Sequence, residues 1–188
     1  MKKVIIFLSV IIFASAAFAS DVQKNEEYFK EQIKNQKYRY SATGLIAAIQ
    51  DNNSEAVGYF MKAGFNPNKT YFAIPVTFYA LKKNSVKSLE TLLDNGADPN
   101  AKSAGISLLS FAISQKNADS VKLLTEYGAD VNKSNIGNTP LETAVRYKQK
   151  EIAEILINAG AVPDKRTLRL LDKPKNNDLK ELFNNVKR

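Results

Sequence analysis

The chain has no cysteine, no histidine and no tryptophan. Without cysteine there is no disulfide, no thiolate nucleophile and no thiol through which a lipid could be attached. Without histidine, the commonest general base and the usual nitrogen ligand of zinc are missing. Serine, lysine and carboxylate are what remain for chemistry. No glycine-rich phosphate loop is present, and the polar run Asp51-Asn52-Asn53 lacks the ligand spacing of a calcium loop. Hydrolysis of a glycan needs two carboxylates facing one bond. Glu26 and Glu27 fall in a polar helical stretch, and Glu151 and Glu154 on a solvated helix face, so neither pair has that form. These absences point away from an enzyme, and no cofactor or metal is expected.

Long apolar runs are also scarce. The one at the start, Val4 to Phe18, follows Lys2 and Lys3 and ends in Ala17-Phe18-Ala19. A charged segment, an apolar segment and a small-residue cleavage site, in that order, form a secretory signal, here residues 1–19. The run is short for a membrane span, which needs about 20 residues; an uncleaved anchor is the alternative. The expected location is the periplasm. Loss of Lys2 and Lys3 lowers the net charge from +8 to +6. That balance suits an acidic partner or an anionic surface, and nucleic acid is not expected for an exported chain.

Internal repetition dominates what is present. Gly64, Gly96, Gly128 and Gly160 each follow an apolar helical stretch at intervals of 32 residues, and Ala48, Ala80, Ala112 and Ala144 recur at the same interval. Thr139–Asp164 shows one unit in full. Thr139 can cap a helix that Pro140 opens, with Glu142 completing a capping box. Leu141, Ala144 and Val145 give the first helix an apolar face, and a polar break covers Tyr147–Glu151. Ile152, Ile155, Leu156 and Ala159 mark the second helix, which Gly160 ends in a left-handed turn. Pro163 then biases the chain towards an extended segment.

This unit, with its endings Gly96-Ala97-Asp98-Pro99-Asn100 and Gly128-Ala129-Asp130-Val131-Asn132, resembles the ankyrin repeat over about residues 41–166. The period is 32 rather than 33. Ile46, Phe78, Ser110 and Glu142 replace the family's motif histidine, and Asn52, Asn84, Lys116 and Lys148 replace the glycine between paired helices. The resemblance implies an all-α solenoid of helix-turn-helix units with short loops. Four repeats would span 41–166, a capping helix 20–40, and a degenerate capping repeat 167–188. In the first cap, Val22, Tyr28, Phe29 and Ile33 are the apolar points. In the last, Thr167, Leu168, Leu170 and Leu171 precede Pro174, and Leu179, Leu182, Phe183 and Val186 follow it. Asp98 and Asp130 are expected to make local turn hydrogen bonds.

Ankyrin-like proteins bind other proteins, usually through a concave face of inner helices and loop tips. The repeat phase puts Tyr38, Arg39, Tyr40, Tyr71, Phe72, Ser103, Asn135 and Ile136 at the tips. It puts Phe78, Lys82, Lys83, Ser110, Gln115, Glu142, Arg146 and Tyr147 on the exposed side of the inner helices. The partner-binding candidates are Tyr71, Phe72, Phe78, Lys82, Lys83, Gln115, Ile136, Arg146 and Tyr147. Tyr71 and Phe72 could serve as anchors or pack sideways on the next loop, and Phe78 could instead fill space beside Thr77. The expected function is a monomeric periplasmic protein-interaction module, in a narrower form an inhibitor or immunity protein. An envelope-associated structural or stress-defence accessory is the alternative.

Overall fold

The computed structural model describes residues 21–135, 137–173 and 176–186. The expected signal segment 1–19, Ile136 and Pro174 lie outside them. The chain forms two compact units, one up to Asn66 and one from Pro67.

In the first unit, α1 (residues 21–35) precedes α2 (Ala42–Gln50) and α3 (Ser54–Lys62), and α2 packs on α3. The Ser41 hydroxyl caps α2 by accepting the Gly44 N–H at 3.1 Å. A Cβ at Gly44 would stand 1.9 Å from the Arg39 carbonyl oxygen, so only glycine fits there. Of the four apolar points expected in the first cap, Ile33 is fully buried and Phe29 stacks on Tyr59, whereas Val22 and Tyr28 stay exposed. Tyr40 stacks on Phe60 and donates its hydroxyl to the Ala63 carbonyl at 2.6 Å.

The second unit is mostly helical but opens two of its repeats with hairpins. Strands β1 (Thr70–Tyr71) and β2 (Ile74–Pro75) precede α4 (Val76–Lys83) and α5 (Val86–Asp94). Strands β3 (Lys102–Ser103) and β4 (Ile106–Ser107) precede α6 (Leu108–Ser114) and α7 (Ala118–Glu126). Then come α8 (Pro140–Arg146), α9 (Lys150–Asn158), α10 (Lys165–Leu171) and α11 (Asn177–Val186). Helices α4, α6, α8 and α10 form an inner row, each packed on the next, and α5, α7, α9 and α11 a parallel outer row. This is the repeat solenoid the period implies. Two of the segments expected to be short connecting loops are antiparallel ribbons, pairing Tyr71 with Ile74 and Ser103 with Ile106, and Asn135 bridges to Asn138.

The periodic residues have local jobs. Asn52, Asn84, Lys116 and Lys148 all adopt the left-handed conformation, with φ of 57°, 60°, 55° and 56°. The residue after each donates its N–H to the carbonyl of Ala48, Ala80, Ala112 or Ala144, closing the first helix. Those alanines are all fully buried. The second helix ends the same way at the four periodic glycines, where φ is 84° to 89°. In α9 the buried residues are Ile152, Ala153, Leu156 and Ile157; Ala159 caps the helix and is exposed, because the helix stops one residue before it. Helix α10 starts at Lys165, capped by Asp164, so the last unit begins before the expected boundary at 166/167. Thr167 and Leu171 face inwards there, and Leu168 does not.

Candidate protein-binding face

Each ribbon closes in two residues, and both take positive φ: Phe72 and Ala73 at 52° and 61°, Ala104 and Gly105 at 49° and 80°. That is the type I′ hairpin turn, whose twist matches the strands and which favours Asn-Gly or a similar pair. The tips therefore sit one residue later than the phase suggested. Ser103 and Asn135 belong to paired positions, not tips. Tyr71 pairs with Ile74 and is half-buried, and its carbonyl accepts the Tyr79 hydroxyl at 3.1 Å. Phe72, by contrast, is 86% exposed. Tyr71 is thus held within its own hairpin, while Phe72 stands out from it. Ile136 lies outside the described residues.

Phe78 is not on the open face. It is 6% exposed, with its ring centroid 5.5 Å from that of Phe111. Its position points towards the next inner helix, and Thr77 beside it is smaller than the Leu45, Leu109 and Leu141 of the other repeats, so the ring supplies missing volume. Glu142 occupies the same phase and is also wholly buried, contrary to the expectation that it faces outwards. Its N–H is held by the Thr139 hydroxyl at 3.1 Å, but the return arm of the capping box is not made. Instead one carboxylate oxygen takes the Arg146 guanidinium at 2.5 Å, and the other is buried without a partner. Arg146 is thereby turned to an internal contact while remaining half-exposed.

The other candidates gather at the carboxyl ends of the inner helices. Lys82 and Gln115 line one recess of about 550 Å³ together with Asn84, Lys116, Asn117 and Asp119. Tyr147, 63% exposed, lines an adjoining recess of about 270 Å³ with Lys148 and Lys150. The two share Lys116, Ala118 and Glu151. Lys83 is exposed one residue beyond Lys82. The candidates thus occupy two ends of the inner row: a hairpin tip carrying Phe72, and a polar groove along the left-handed turns.

Lateral ties hold this face in register, and the sequence reading missed them. Asn68, Asn100 and Asn132 each reach into the following repeat. Their amide nitrogens donate to the carbonyls of Gly96, Gly128 and Gly160 at 2.8, 3.3 and 3.1 Å. Their amide oxygens accept the N–H of Asp98, Asp130 and Val162 at 2.7, 2.9 and 2.8 Å. Asp164 replaces this asparagine in the last repeat, and caps α10 instead. The Thr167 N–H and hydroxyl, each 2.7 Å away, hold its carboxyl below the usual carboxylate range. The asparagines' recurrence every 32 residues was the available signal. Asp98 and Asp130 accept N–H groups two residues on, the expected turn role. On the outer row Tyr127 donates to Asp94, and that bond pushes its phenol up to about 12.

Among the described residues no group of three or more histidine, cysteine, aspartate or glutamate side chains could hold a metal ion. Nor is any helix among them long and apolar enough to cross a membrane. Residues 102–167 match the family model described as ankyrin repeats (3 copies). No curated protein matches the chain. The match covers the Thr139–Pro140 cap, the left-handed Lys116 and Lys148 and the Asn132 tie, and ankyrin repeats are generally modules for protein–protein interaction. On its repeat geometry and this match, residues 102–167 form a run of ankyrin repeats.

Proposed function

We propose that this chain is a periplasmic protein-interaction module that grips one partner protein along its inner row, with Phe72 as the anchor. One observation carries the reading. A large aromatic side chain stands 86% exposed on a turn whose two residues, Phe72 and Ala73, both hold left-handed backbone without being glycine. Left-handed backbone costs such residues about 1–2 kcal/mol each, and the two-residue turn that imposes it holds the Phe72 ring outward. Exposed aromatics are the usual anchors of protein interfaces. Lys82, Lys83, Gln115 and Tyr147 line the far end of the same row. The periplasmic location is supported by the order of charge, apolar run and small residues over 1–19.

A narrower form is an inhibitor that blocks a toxic effector arriving in the same compartment, which a compact module with a single binding face would suit. Pull-down of the tagged mature protein from periplasmic extract tests the reading. A discrete protein should be retained by the parent and lost with Phe72→Ser, while Lys87→Ala on the outer row retains it. Equal recovery with all three, or no protein recovered by any, refutes it. Sequencing the mature amino terminus tests export: a start at Ser20 supports it, and a retained Met1 refutes it.

A further inference from the structure

Charge is sorted between the two rows of the second unit, repeat after repeat. Each outer helix carries two carboxylates and one lysine: Glu90 and Asp94 with Lys87, Asp119 and Glu126 with Lys122, Glu151 and Glu154 with Lys150, Asp178 and Glu181 with Lys180. The inner row reverses the sign. Residues 69–84 hold Lys69, Lys82 and Lys83 and no acid, and residues 101–116 hold Lys102 and Lys116 and no acid. Residues 133–148 add Lys133, Arg146 and Lys148 against one acid, Glu142, which is buried and neutralised by Arg146. Helix α10 adds Lys165, Arg166 and Arg169. Apart from Arg146 and Arg166, which donates to the Gly137 carbonyl, no side-chain contact with a carboxylate or other acceptor among the described residues ties these inner cations down, and all are exposed.

From this sorting we infer that the inner row takes an acidic protein segment, one that lays carboxylates along the lysines and an apolar side chain against Phe72. The inference rests on the protein-binding reading above and names the chemistry of the partner. Positive potential summed over successive repeats steers and orients a negatively charged partner. Exposed Phe72 and Tyr147 at opposite ends of the strip favour a polypeptide, which alternates apolar and charged groups, over a phosphodiester chain or a lipid surface. The outer helices carry the opposite sign, and Asp119 and Glu151 also line the groove beside Lys82 and Lys116, so discrimination by sign is sharpest at the hairpin end of the strip.

The test is selection of a random displayed 16-residue peptide library on the purified chain, with affinities of the enriched peptides read by fluorescence anisotropy. Enriched peptides should be acidic and carry an aromatic or aliphatic residue. Their affinity should fall at least about tenfold when salt is raised from about 50 to 500 mM. Lys82→Glu with Lys83→Glu should weaken binding at least about tenfold, and Lys82→Gln with Lys83→Gln to a lesser degree, with the helical signal unchanged. Lys87→Glu with Lys122→Glu, on the outer row, should leave affinity within about twofold. Enrichment of neutral or basic peptides that still need Phe72 would overturn the acidic partner while leaving the binding reading intact; no enrichment at all would overturn both. Tighter binding of a synthetic DNA duplex or of phosphatidylglycerol vesicles than of any peptide would also overturn it.

Discussion

The buried Glu142–Arg146 pair makes the sharpest energetic prediction. Glu142 is fully buried, one oxygen is held by Arg146 at 2.5 Å, and the other has no partner. Arg146→Ala removes the only side-chain donor to the carboxylate among the described residues and leaves a charge in the interior. Breaking one side of a buried ion pair costs about 3–5 kcal/mol. Arg146 is 48% exposed, so water enters where its side chain leaves, and the expected cost is the lower end, about 3 kcal/mol. The same phase is apolar in two of the other three repeats, Ile46 at 8% and Phe78 at 6% exposure. Glu142→Ile should therefore be neutral or stabilising by up to about 2 kcal/mol. In that background Arg146→Ala should cost less than about 0.5 kcal/mol, a coupling of at least about 2 kcal/mol. Urea unfolding followed by far-UV circular dichroism measures all four chains. Additive effects, or an Arg146→Ala cost below about 0.5 kcal/mol in the parent, would refute the burial argument.

Three further outcomes are expected. Ala73→Gly relieves one left-handed residue; less the entropy glycine adds to the unfolded chain, it should stabilise by about 0.5–1 kcal/mol, seen as a rise in Tm. A drop would mean the turn is not strained. Asn100→Ala should cost about 1 kcal/mol and speed exchange of the Asp130 amide, whose acceptor it removes; unchanged exchange would show that the tie does not order that loop. Tyr127 should ionise near pH 12 and return towards 10.0 in Asp94→Asn, followed by NMR with ring-labelled tyrosine. The raised value means that the tie to Asp94 is present below pH 10.0 and is lost as pH climbs through about 12; identical titration in both chains contradicts it.

Where a feature is local and repeated, the bare sequence was enough to find it. The glycines were placed by period and Asn52, Asn84, Lys116 and Lys148 by the resemblance to the ankyrin repeat, and all adopt the turn conformation their position demands. Lysine tolerates it because the neighbouring N–H closes onto a buried alanine carbonyl. Failures came where the deciding neighbour lies a full repeat away. Glu142 looked outward because only its own helix was considered, yet the adjacent inner helix covers that phase; at Phe78, set among the exposed positions, the space-filling alternative holds instead. Asn100 bonds to residues 28 and 30 positions on, a contact no local pattern announces. Tip assignment slipped by one residue because Phe72-Ala73 contains no glycine to flag a two-residue turn. The sorting of charge by row emerges only after each segment is assigned to inner or outer helices.

The account as a whole depends on the inner row, and not the outer one, meeting another protein. A photo-crosslinking phenylalanine analogue placed at Phe72, and in a second strain at Glu90 on α5, tests this in the living host. The expected result is a discrete heavier species formed with a single partner from position 72 and absent from position 90. Adducts of equal intensity and identity from both positions, or none from position 72, would contradict it.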